Sequence, residues 1–201
     1  MLTDLPFNLD TAFDPLTLRE YPLHPLQVEA ALSYVQARLS YLDLPVETRA
    51  AYLTQYALLL RLNRSYSLSI KAFLEVLDLW QSPALSAHPQ QPRCLIAHRI
   101  RLANTYHLQG DFEKSNDAFS VLLRDMEQWS EPLKQAYQHF LWQHAGKNAF
   151  DQERFAEALD YFEKALRERQ LQQCNAELLH SSEIACAAAH LARKQKGATL
   201  S

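Results

Sequence analysis

Eight histidines are the side chains best able to do chemistry in this chain of 201 residues. Metal ligation from one helical face needs partners three or four residues apart. His139 and His144 are five apart, and His180 and His190 are ten apart. Between His180 and His190 only Glu183 stands at helical spacing from His180, and one such pair is common by chance. Paired carboxylates could do general acid and base work. Asp111 with Glu113 and Glu153 with Glu157, however, fall where helices are expected to start, and negative charge there meets the helix dipole. No GxSxG, HExxH, phosphate-binding loop or DxDxDG pattern occurs. Catalysis is therefore not expected, nor is any metal or cofactor. Cys94, Cys174 and Cys186 are odd in number and include no CxxC pair, as suits reduced thiols in a cytoplasmic protein.

The elements that must position the polar groups are helices. The chain holds thirty-five Leu and twenty-six Ala against nine Val plus Ile, with 3 Gly and 9 Pro. Leu and Ala favour helix, β-branched residues favour strands, and three glycines cannot supply the turns of a β or α/β fold. Helical spacing predicts eight helices, over about 26–41, 45–62, 66–80, 92–108, 112–128, 130–150, 155–170 and 175–194. Gly110 is placed to close the fourth in the left-handed conformation, and Ser130 to cap the sixth. Residues 1–25 carry Pro6, Pro15, Pro22 and Pro25 but also Phe7, Phe13, Leu16 and Leu18. That segment is expected to lie extended on a helical body of residues 26–195, with 196–201 as a disordered tail. The acidic, proline-containing start does not read as a signal peptide, and no apolar run approaches membrane-spanning length.

Charge is uneven along the chain. Residues 1–44 hold six acids and two bases, 45–110 three acids and seven bases, and 111–201 fourteen acids and eleven bases, or -4, +4 and -3. A basic middle is compatible with a groove for an acidic peptide, and the acidic N-terminal segment could fold back as a built-in occupant. A net charge of -3 gives no basis for nucleic-acid binding.

A repeat runs through the helices. Its clearest copy is Trp142-x3-Gly146-x8-Phe155-x2-Ala158-x3-Phe162-x2-Ala165. An earlier copy has Ala103 and Ser115 as small residues with Phe112 and Phe119 as aromatics, and a weaker one has Ala57, Ser69, Tyr66 and Phe73. Small residues let paired helices approach while the aromatics fill the space beside them. This pattern resembles the tetratricopeptide repeat (TPR) family in a long-helix variant. The lead aromatics Tyr66, Phe112 and Phe155 stand 46 and 43 apart, against about 34 in the plain repeat.

The resemblance implies an all-α fold of antiparallel helix pairs stacked as a short right-handed solenoid, with the last helix as a cap. It also implies partner binding on a concave face lined by the first helix of each pair. Aligning the copies places Gln55 and Arg61, then Arg101, Asn104 and His107, then Gln143, His144 and Lys147 on that face. Asn104 takes the place where peptide-binding members often hold the peptide backbone, and Lys147 departs from it. The expected function is a non-enzymatic scaffold for a protein or peptide segment of acidic character, in a monomer or homodimer, without nucleic acid or membrane. The alternative is a ligand-sensing regulatory domain of a bacterial signalling system.

Overall fold

A computed structural model describes residues 5–199. Among them lie a short strand pair, β1 (Thr11–Phe13) and β2 (Glu20–Pro22), and eight helices: α1 (Pro25–Leu39), α2 (Val46–Leu62), α3 (Tyr66–Gln81), α4 (Gln91–Gln109), α5 (Phe112–Met126), α6 (Glu131–Asp151), α7 (Phe155–Leu171) and α8 (Ala176–Thr199). The expected helices all form. Ser130 stands at the N-cap of α6 without a side-chain cap hydrogen bond. The helix α8 runs to Thr199, so residues 196–199 continue a helix where a tail was expected. Residues 1–4 of the expected N-terminal segment and 200–201 of the expected tail lie outside the described residues.

Four helix ends share one turn. After α2, α4, α6 and α7 the chain enters the left-handed region at Arg64 (φ 58°), Gly110 (φ 87°), Glu153 (φ 57°) and Gln173 (φ 52°). The amides of Ser65, Asp111, Arg154 and Cys174 then reach back to the carbonyls of Leu60, Tyr106, Ala149 and Arg169 at 2.8–3.0 Å. These bonds satisfy carbonyls that a helix end leaves orphaned. Three of the four positions are not glycine, which is how the chain manages with so few.

The chain divides into two compact units. The first comprises residues 1–12 and 20–111, the second 13–19 and 112–201, so the boundary falls inside the middle repeat copy. In the first unit α1 packs on α2, α2 on α3 and α3 on α4. Val28, Ala31 and Val35 of α1 meet Leu59 and Leu62 of α2, with Leu5, Phe7 and Leu9 partly buried beside them. Ala57 and Leu60 meet Ala72, Phe73 and Leu77 of α3 and Leu102 of α4. The small residue Ser69 donates its hydroxyl to the Ala57 carbonyl at 2.7 Å.

In the second unit α5 packs on α6, α6 on α7 and α7 on α8. Its core joins Ala149 of α6, Ala158, Leu159 and Phe162 of α7, and Ala185 and Ala189 of α8. Leu18, from the turn between the two strands, is buried in the same cluster.

Candidate partner-binding face

Helices α2, α4 and α6 carry the eight residues expected to meet a partner. In the first unit, Gln55 is half-buried beside a cavity of about 370 Å³ that Tyr34, Glu47, Thr48 and Tyr52 also line. The neighbouring Thr54 hydroxyl lies 2.9 Å from His98 Nε2 and ties α2 to α4. Burial, reinforced by the positive charge of Arg101, pushes the His98 imidazole down to about 4. That imidazole is therefore neutral at physiological pH and fixes the two helices rather than contacting a ligand. Arg101 is half-buried, whereas Asn104 and His107 are only 5% and 2% exposed.

In the second unit, Gln143 is 3% exposed, while His144 and Lys147 are half-buried. Gln143 Oε1 accepts from the Ser182 hydroxyl at 2.7 Å and from Arg169 Nη1 at 3.4 Å. Of the eight residues, Asn104, His107 and Gln143 are buried. Helical spacing assigns a side chain to a stripe but not to a depth within it. Gln55, Arg61, Arg101, His144 and Lys147 remain at the surface.

Two of these five already engage the N-terminal segment. In the first unit, Arg61 Nη2 meets Glu20 Oε2 at 3.4 Å, and Thr11 donates to the other carboxylate oxygen of Glu20 at 2.8 Å. In the second unit, the Lys147 ammonium stands 4.5 Å from the centroid of the Phe13 ring, and Arg19 pairs with Asp151 at 2.8 Å. The segment runs as two short extended strands joined into a hairpin, whose tight turn is stapled by Asp14. Asp14 Oδ1 accepts from the Leu16 amide at 2.9 Å and Oδ2 from the Thr17 hydroxyl at 2.8 Å, which hold the carboxyl below its usual range. Leu18 follows at φ 55° and turns its side chain into the α6–α7–α8 core.

The hold of the turn on the second unit is modest. Burying a leucine side chain contributes about 2 kcal/mol, and the left-handed backbone of a non-glycine residue costs about 1–2. A cation–π contact at the surface adds ~0.5–1 kcal/mol, and an exposed ion pair ~0–1. The balance is a few kcal/mol, small enough for a competing segment to overcome.

Two solved structures share this architecture. Both are of a Podosopora anserina protein described as a kinesin light chain with nearly identical TPR-like repeats. One is 17% identical with a TM-score of 0.54, over 87% of this chain and 83% of that one. The other, a point variant, is 18% identical with a TM-score of 0.52 over the same shares. The fold is TPR-like. No protein-family model matches the chain, and no curated protein sequence does.

Within the TPR-like pairs, the structure also shows polar residues that the repeat pattern did not single out. Ser115, read as a packing residue, donates to Asn148 Oδ1 at 3.0 Å. Asn148 Nδ2 donates to Asn116 Oδ1 at 2.7 Å, and that oxygen also receives Gln152 and Arg154. This network fastens α5 to α6. A second cluster surrounds Arg169, whose residue is 2% exposed. Its Nε donates to His139 Nδ1 at 3.2 Å, and Nη1 reaches the Leu178 carbonyl at 2.7 Å and the hydroxyls of Ser181 and Ser182 at 2.9 and 2.8 Å. All of these partners are neutral. Burial lowers the guanidinium to about 10 and the His139 ring to about 4. The cluster joins α6 and α7 to α8, and every acceptor in it is turned toward the arginine.

Other reactive groups stay apart. His180 lies 3.8 Å from Glu183 and His190 3.9 Å from Glu163, all exposed. Among the described residues no group of three or more His, Cys, Asp or Glu could hold a metal ion. Cys94, Cys174 and Cys186 are half-buried free thiols, and burial pushes Cys186 up to about 11, far from a reactive thiolate. No described helix is long and apolar enough to cross a membrane.

Proposed function

We propose that this chain is a non-enzymatic, cytoplasmic scaffold that binds a protein or peptide segment through the first helices of its TPR-like pairs. In the first unit Gln55, Arg61 and Arg101 are the contact residues, with Asn104 and His107 buried, and in the second unit His144 and Lys147 are, with Gln143 buried. The carrying observation is made in each unit by itself: in the first, Arg61 holds the Glu20 carboxylate of the N-terminal segment, and in the second, Lys147 meets the ring of Phe13. Arg61 holds a carboxylate and Arg101 adds a second guanidinium in the same unit, which favours an acidic partner. Affinity capture with the full chain, read by mass spectrometry, tests the reading. A recurrent protein partner is the expected result, and repeated recovery of none would overturn it.

A second reading is a ligand-sensing regulatory domain. It is favoured by the cavity of about 370 Å³ in the first unit, an open recess where two tyrosines, Glu47, Thr48 and Gln55 offer polar groups. Native mass spectrometry of the purified chain separates the two, since this reading expects a small molecule to co-purify.

A further inference from the structure

Residues 13–19 sit on the second unit as a ligand would. They lie more than a hundred positions before the residues they touch, and they present three different chemistries to it. Phe13 offers a ring to Lys147 at 4.5 Å, Leu18 enters the alanine-walled cluster of α6, α7 and α8, and Arg19 reaches Asp151 at 2.8 Å. We propose that this face of α6, α7 and α8 is a docking site for a partner segment carrying an aromatic residue, a leucine five positions on and a basic residue directly after it. The chain's own turn covers the site until such a segment displaces it. This deepens the scaffold reading and rests on it.

Each part of the site selects. The Lys147 ammonium takes an aromatic face and repels a cation. The socket belongs to the apolar cluster of Ala149, Ala158, Leu159, Phe162, Ala185 and Ala189, which takes a branched aliphatic group and offers a charged one no partner. Asp151, at 15% side-chain exposure, prefers a guanidinium at the socket's edge. The present occupant is not the best fit: Leu18 reaches the core from a left-handed backbone and Phe13 is 44% exposed. A partner able to present its leucine from relaxed backbone would compete without that strain.

The probe is a fluorescent peptide of residues 10–22, titrated into the full chain and followed by anisotropy. Leu18→Asp in the full chain should release the turn and raise peptide affinity at least tenfold over the native chain. Adding Asp151→Arg should remove that gain, and a peptide carrying Leu18→Asp should not bind. If the melting curve shows Leu18→Asp unfolded, the Phe13→Ala/Arg19→Ala chain, which keeps the buried leucine, carries the same comparison. A folded released chain that ignores the peptide, or native and released chains that bind it equally, would overturn the proposal. A concentration-dependent dimer of the native chain would assign the site to a second copy and overturn the partner assignment. Peptide uptake without any captured protein would sink the scaffold reading instead, so the two fail separately.

Discussion

Phe162 lies so close to Gly146 that a Cβ at position 146 would fall 2.5 Å from its Cε1 atom. Helices α6 and α7 are therefore at the distance that a glycine permits and an alanine does not, with the ring fully buried. Gly146→Ala gains up to about 1 kcal/mol of helix propensity but forces a packed ring to move, at about 1–3 kcal/mol. The net expectation is a loss of about 1–2 kcal/mol, measured by urea denaturation. An unchanged midpoint would mean that the crossing is looser than the structure shows.

Arg64, which is exposed, provides the opposite prediction. It holds φ 58° at the end of α2, where an L-residue is disfavoured. Arg64→Gly should stabilise the chain by about 0.5–1 kcal/mol, seen as a higher melting temperature. The same substitution one turn earlier, at Arg61, should destabilise by a similar amount because that residue is helical.

Arg169 is the buried cation whose removal should cost most. Arg169→Ala would strip His139 Nδ1 of the donor that Arg169 supplies and leave the Leu178 carbonyl and Gln143 Oε1 with only the Ser181 and Ser182 hydroxyls, a loss of about 3 kcal/mol. Arg169→Lys should recover only part of it, because one ammonium cannot span both the His139 and Ser182 sides of the fork. Denaturant midpoints of the three chains check the order.

Acid should weaken the fold before carboxylate titration begins. The His98 and His139 rings are held down to about 4 from an ordinary 6.5, so between those values the unfolded chain binds protons that the folded chain does not. Their contribution is complete above about pH 6.5 and is lost as pH falls toward 4. Melting curves across that window should slope downward on acidification, and His98→Asn with His139→Asn should flatten the slope.

The helices were legible because leucine and alanine recur at helical spacing with prolines between them, and Gly110 marked its turn plainly. Arg64, Glu153 and Gln173 make the same turn without announcing it, since nothing in their side chains signals a left-handed backbone. The hairpin was missed because strands of three residues carry no periodicity, and Leu18 looks like any apolar residue in a proline-rich stretch. Among the candidate face residues, the register could not show that Asn104, three residues after Arg101, turns far enough inward to be buried. The boundary at Asp111 was equally hidden, because the repeat pattern continues across it unchanged.

On the proposed function, half-buried cations on the first helices recognise a partner rather than merely solvate the surface. The direct measurement is capture by the native chain beside Arg101→Glu and Lys147→Glu, with melting temperatures recorded for each. The expected result is a recurrent partner that both reversals release while melting shifts by no more than a few degrees. Capture of the same partner at the same yield by both reversed chains would contradict it.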